Sequence, residues 1–337
     1  MYRLKDKLVG YYGVDAKTDH CLYVYHEQVM IELNKEALSR RVLEVDVKDF
    51  YTRVLPLNQG IVYNCNTRLV YEREGVKREI GSELYPMWIV EDDIIVICFE
   101  EGKTGLKRIN LLGEEKWWYE ASLANGQLVH DGVLYFRVVD RENVLYALSF
   151  ATGEAKEWLV LDEGASLHIV TSFEDKVICL LNKKTMAAVD VVTGAMVWNT
   201  ALYNREGNEL PVNISVPLHG GQYGDKYYLL YGVLFMCLDM KEGGFTVLQR
   251  IEGDMNGVPL FVQRSSIFED KIYFVGDNMN NGWNRFGVFD IHQERIVWQT
   301  EISLAKGEVL NNKPIGGEKY VFLNDSAFNL YVFEREE

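Results

Sequence analysis

The sequence predicts an all-β chain, an eight-bladed β-propeller spanning residues 1–337 as a single domain, and three observations predict it. The first is a repeat. A short apolar strand ends in an aliphatic or aromatic residue followed by a small polar or acidic one, at Leu33-Asn34, Tyr71-Glu72, Ile109-Asn110, Leu148-Ser149, Val189-Asp190, Leu238-Asp239, Phe289-Asp290 and Phe333-Glu334. The spacings are 38, 38, 39, 41, 49, 51 and 44 residues, and a period of about 40 to 50 is the size of one four-stranded blade. The second is periodicity: the intervening runs are short and rich in Val, Ile, Tyr and Phe, and no amphipathic pattern sustains a helix of four turns. The third lies at the ends. With strands of a blade lettered A to D from the axis outward, the last unit offers A near 314–317, B at 320–323 and C at 329–334, then stops. Residues 2–10 are left over, and pairing them as the missing outer strand removes an exposed edge. Seven blades are the alternative if two short early units merge.

Each unit reads as a hairpin. Asp190-Val191-Val192-Thr193-Gly194 leads to Trp198, and Ser149-Phe150-Ala151-Thr152-Gly153 leads to Trp158 with one residue more. Asn110-Leu111-Leu112-Gly113 leads to Trp117, and Asp290 to Trp298. Asp, Asn or Ser can hydrogen-bond the backbone two residues on, and Gly supplies a positive φ where the chain reverses. The Trp is expected to pack between neighbouring blades. Upstream strands open at Asp131-Gly132, Asp175-Lys176, Asp225-Lys226 and Asp270-Lys271. In its order of strand, Asp, Thr-Gly and Trp, the unit resembles the pyrrolo-quinoline-quinone-type (PQQ-like) propeller repeat, most closely from Asp190 to Trp198. The first two units depart from it, with Lys35-Glu36-Ala37 and Arg73-Glu74-Gly75 in place of Thr-Gly. Related dehydrogenases imply a quinone and a calcium ion at the propeller centre. They are typically longer and exported, and often carry adjacent cysteines, which this chain lacks, so no cofactor is expected. The other related group is the exported lipoprotein scaffold of outer-membrane assembly.

Hydrophobic residues make up 48% of the chain, ample for a packed core. Lys plus Arg is 35 and Asp plus Glu is 50, a net charge of −15. That balance repels phosphate, so no nucleic-acid partner is expected. The opening residues Met1 to Lys7 are not followed by an apolar signal core, so neither a secretory nor a lipoprotein signal is read. The longest nearly apolar run, 227–238, is too short to span a bilayer and is interrupted by Gly232, so no membrane insertion is expected. Cys21, Cys65, Cys98, Cys179 and Cys237 are odd in number and form no CxxC pair. They read as free buried thiols in a reducing cytoplasm.

Catalytic motifs such as GxSxG, a P-loop, HExxH or GxGxxG are absent from the sequence. His20 and His26 can approach across a strand pair, but two ligands do not make a metal site. Glu91-Asp92-Asp93 and Asp140-Arg141-Glu142 could supply a carboxylate pair for glycoside chemistry, yet they sit where solvated turns are expected. More informative are two insertions, 201–224 between strands D and A and 276–284 between B and C. In an up-and-down blade these connections share one face, and function in repeat scaffolds concentrates in such loops. The binding candidates are therefore Trp283, Met279 and Asn281 in one insertion and Tyr203, Arg205, His219 and Tyr223 in the other. Trp283 either meets a partner or folds back on its own blade. The expectation is a non-enzymatic, cytoplasmic protein-binding scaffold using that face, its partner basic and its association salt-sensitive. An immunity or antitoxin-like cap on a basic toxin is one concrete form. The alternative is carbohydrate binding or processing at the central channel, where Asn and Trp would suit a sugar.

Overall fold

The computed structural model describes all residues except 14–17, 49–52, 101, 211–213, 215–219, 252, 278–281 and 337. Among the described residues every regular element is a strand, and no helix is long and apolar enough to cross a membrane. The chain divides into two compact units, Tyr11–Asp162 and Met1–Gly10 with Glu163–Glu337. Strand β1 (Tyr2–Val9) belongs to the latter.

The unit Tyr11–Asp162 holds four sheets in chain order. They are β2 (Cys21–His26), β3 (Val29–Asn34) and β4 (Arg40–Glu44); β5 (Val54–Leu57), β6 (Gly60–Cys65), β7 (Arg68–Arg73) and β8 (Val76–Ser82); β9 (Leu84–Val90), β10 (Asp93–Glu100), β11 (Lys103–Ile109) and β12 (Glu115–Glu120); and β13 (Leu128–His130), β14 (Val133–Phe136), β15 (Val144–Ser149) and β16 (Ala155–Val160). The other unit holds β17 (Leu167–Phe173), β18 (Lys176–Leu181), β19 (Thr185–Asp190) and β20 (Met196–Ala201); β21 (Gly220–Tyr223), β22 (Lys226–Tyr231), β23 (Leu234–Asp239) and β24 (Phe245–Arg250); β25 (Phe261–Phe268), β26 (Lys271–Asp277), β27 (Arg285–Asp290) and β28 (Arg295–Glu301); and β29 (Tyr320–Asn324) with β30 (Asn329–Arg335), completed by β1. Every pairing between these strands is antiparallel. Eight small sheets make the chain an eight-bladed β-propeller, and the two short early units remain separate blades.

The repeated polar residue closes strand C of its blade, and the C–D turn forms around it. Asp190 Oδ1 accepts from the Val192 and Thr193 N–H groups at 3.1 and 2.7 Å and from the Thr193 hydroxyl at 2.7 Å. Those hydrogen bonds, the Thr193 hydroxyl first, hold its carboxyl below the ordinary range. Asn34, Asn110 and Asp239 accept two backbone N–H bonds each in the same way. Glu72 does something different. Its blade turns through Glu74 and Gly75, both at positive φ, between directly paired Arg73 and Val76. A two-residue turn of this kind needs no side-chain cap. Glu72 is instead buried and accepts from Tyr63 at 3.2 Å and Arg41 at 2.5 Å.

The tryptophan tests the blade-junction reading position by position. Trp117 lies opposite Arg108 in the β11–β12 pair, and Trp198 lies opposite Ala188 in β19–β20. Each covers a glycine in the C–D turn of the following blade. A Cβ on Gly153 would stand 2.6 Å from Trp117, and one on Gly243 2.8 Å from Trp198. Trp117 Nε1 also donates to Phe150 O at 2.9 Å. Trp158 departs from the pattern. The position opposite Ala147 is Lys156, and Trp158 sits past it, 4.8 Å from the Tyr135 ring of its own blade. Its extra residue of spacing marks a different packing role.

The last sheet closes as the end-pairing argument expects. β1 pairs with β30 from Tyr2 opposite Arg335 to Val9 opposite Asn329. Strand A of that blade is reduced to isolated bridges, Leu310 with Asp325 and Ile315 with Phe322. Pro314 has no N–H to extend it, and a Cβ on Gly316 would stand 2.6 Å from Phe268, so the segment is pressed flat. The apolar core runs between adjacent sheets: Ile95 and Leu106 meet Leu134, Phe136 and Leu148, and Ile178 and Met186 meet Leu229 and Met236. Fully burying one such side chain contributes about 1.5–3 kcal/mol.

Candidate functional site

Both insertions lie in the unit that includes Glu163–Glu337. The first leaves β20 at Ala201 and re-enters at β21. Tyr203 does not project. Its N–H donates to Phe245 O at 2.9 Å and its carbonyl accepts from Val247 N at 2.8 Å, along the outer edge of β24. A tight loop follows, tied by Asn204 N to Asn208 O at 2.9 Å, Asn208 N to Asn204 Oδ1 at 2.8 Å and Leu210 N to Leu202 O at 2.8 Å. Arg205 stands exposed near its tip and forms an ion pair with Glu294, in the turn after β27. Farther on, Ile214 is buried and donates its N–H to Lys183 O at 2.7 Å, in the B–C turn of the preceding blade. His219 lies outside the described residues, as do Met279 and Asn281 of the second insertion.

Tyr223 closes β21. Its hydroxyl lies 3.5 Å from His292 Nε2, with the rings edge-on at 5.7 Å between centroids. His292 Nε2 in turn is 3.8 Å from Asp270 Oδ2. Lys271 holds Asp270 at 2.8 Å and Asp290 at 3.0 Å. Burial pulls the Lys271 pKa down, but hydrogen bonds to the two carboxylates outweigh it and leave it raised. Arg205 and Tyr223 therefore both reach the C–D turn of the β25–β28 blade.

Trp283 lies at the other end of that blade. It precedes the start of β27, whereas His292 and Glu294 follow its end. Half-buried, it packs on the cluster containing Val275, Phe286 and Leu310, and its carbonyl accepts from Leu310 N at 2.7 Å. The Arg264 guanidinium stands 6.0 Å from the ring centre. Trp283 thus packs at the junction between its own blade and the last one and stays half-buried. Sequence spacing places both insertions on one face. The structure carries the described 202–210 segment to the opposite end, because Tyr203 pairs beside the start of β24 and Arg205 reaches Glu294.

One pair escapes a sequence reading. Arg285 is buried and ion-paired to buried Asp254, with Glu301 Oε2 at 3.5 Å. Asp254 Oδ1 also accepts from Asn256 N at 2.8 Å and Val258 N at 3.0 Å, which shapes the 253–258 loop. An arginine opening a C strand is the only trace this leaves in the sequence. Among the described residues no three His, Cys, Asp or Glu side chains group closely enough to hold a metal ion.

Comparison with solved structures shows the same fold at low identity. BamB from Moraxella catarrhalis is 13% identical, with 99% of this chain and 100% of that chain covered and a TM-score of 0.57. Saccharomyces cerevisiae Sqt1 is 11% identical over 100% and 98% of the two chains, with a TM-score of 0.58. Quinohemoprotein alcohol dehydrogenase from Comamonas testosteroni is 9% identical over 99% and 76%, with a TM-score of 0.61. Among curated proteins no sequence match was found. A family model does match residues 103–337, well over half the chain, and takes in the Asp190 to Trp198 unit with its docking tryptophan. With eight sheets and that repeat both present, the chain belongs to the PQQ-like family described as outer membrane protein assembly factor BamB.

Proposed function

We propose that the chain is a non-enzymatic scaffold that binds another protein. The observation that carries this reading is Trp283 beside Arg264, both half-buried, at the B–C end of one blade. Tryptophan and arginine are the residue types that dominate binding hot spots, because each combines a large contact area with a directional polar group. Family membership supports it, since the family takes its description from an assembly factor. The charge of −15 favours a basic partner and fast, salt-sensitive association. A cap on a basic toxin is one concrete form. The proposed compartment is the cytoplasm, in keeping with five free cysteines, four of them buried.

The test is affinity capture at low and high salt with wild type and Trp283→Ala side by side. The expected result is a basic protein retained by the wild type at low salt, released at high salt, and weakened by about tenfold or more in the variant. Equal capture by both forms, or none by either, overturns the reading.

A further inference from the structure

Between β24 and the C–D end of the following blade lies a cleft of about 370 Å³. Its floor is apolar: Phe289 and Ile251 are buried and Ile296 is half-buried. Two exposed guanidiniums line it, Arg250 and Arg295. Neither has a carboxylate partner among the described residues. Arg295 is aimed by a neutral group instead: Gln293 Oε1 accepts from its Nε at 3.0 Å and its Nη2 at 2.8 Å. Gln293 is itself fixed, donating to Asp290 Oδ2 at 3.1 Å.

Among the described residues, the carboxylates that line or flank the cleft are engaged by other groups. Asp254, which lines the cleft, is paired with Arg285 and accepts two backbone N–H groups. Asp290 is held by Lys271 and Glu294 by Arg205. Arg250 and Arg295 are thus the cleft's two guanidiniums with no carboxylate partner among the described residues, on a chain whose net charge is −15. Long-range repulsion of an anion is screened beyond about 8 Å at physiological salt, so contact with the two guanidinium forks decides. A planar fork matches a carboxylate in geometry as well as charge. The volume is at the small end of the roughly 300–1,000 Å³ range of ligand sites, room for a short peptide segment.

We propose that this cleft binds an acidic peptide segment, its carboxylate held by Arg250 and Arg295 and a neighbouring apolar side chain seated on Ile251, Phe289 and Ile296. The inference does not rest on the scaffold reading above; it concerns another end of the molecule and a ligand of opposite charge. The probe is an acetylated, amidated Phe-Asp-Leu tripeptide, titrated into the full chain by ligand-observed NMR. Its Phe-Asn-Leu counterpart and inorganic phosphate serve as comparators. The tripeptide is expected to bind with a dissociation constant of about 1 mM or tighter, and the asparagine form about tenfold more weakly. Arg250→Gln and Arg295→Gln should each weaken binding about fivefold or more with the melting temperature unchanged, both residues being exposed. Equal binding of the two peptides, undiminished binding by both variants, no binding at all, or tighter binding of phosphate than of the tripeptide would each overturn the proposal.

Discussion

Cys237 shows what a single buried group does to this fold. Burial pushes its thiol up to about 11. A raised folded-state value means that stability is intact below the unfolded pKa of about 8.5 and drains away as pH rises toward the folded one. Wild type is expected to lose about 2–3 kcal/mol more than Cys237→Ala between pH 8 and pH 11 in urea unfolding. Equal losses would show that the thiol is solvated. The cysteines were legible in the sequence because each falls inside an apolar strand, and four of the five are indeed buried. Arg205 was legible as a loop residue, but not its carboxylate partner. Glu294 comes from a turn 89 positions away and meets it only through the path of the 202–210 loop.

The blade is the scale at which the repeat acquires its energy. A docking tryptophan needs a glycine opposite it in the next blade, and the turn needs the same glycine for its positive φ. Gly153 carries both demands, at φ +76 and with Trp117 2.6 Å from where a Cβ would stand, whereas Gly75 at φ +80 faces open space. Gly75→Ala should cost about 1–2 kcal/mol, the left-handed backbone alone. Gly153→Ala should cost that plus about 1–3 kcal/mol for displacing the indole. Thermal unfolding of the two variants measures the difference, and equal costs would show that the indole shifts freely. Spacing revealed all eight C strands, since a polar residue stands at the end of each, and at Asn34, Asp190 and Asp239 it also sets the turn. It could not reveal that Trp158 faces its own blade, because a two-position offset along one strand changes the packing partner without changing the motif's appearance. Nor could it reveal the course of 202–210, which is set by the pairing of Tyr203 with a strand more than forty residues away.

At the scale of the whole molecule, eight sheets in one chain leave a single place where first and last strands must meet. Tyr2 anchors that seam. Its hydroxyl lies 2.8 Å from that of Tyr273, and its ring packs on Trp298 at 5.3 Å. Arg3 and Lys5 reach Glu334 at 2.9 and 3.3 Å, and the hydrogen bond from Arg3 leads in holding that carboxyl below its ordinary range. Removing residues 1–10 would strip β30 of its partner and expose a long edge. Such a truncated chain is expected to melt about 10 °C or more below the intact one and to self-associate, as read by calorimetry and light scattering. An unchanged melting temperature would show that β1 is an ornament on a blade stable without it.

The register of that seam also decides how the protein answers a pull. Tyr2 stands opposite Arg335, so force applied to the two termini arrives at the same end of the strand pair. The ladder then peels open one hydrogen bond at a time, like a zip, and yields at low load. Handles placed at Val9 and Arg335, at opposite ends of the pair, would load every rung together. The same contact is thus mechanically weak or strong according to where it is held, with no change in its thermodynamic worth.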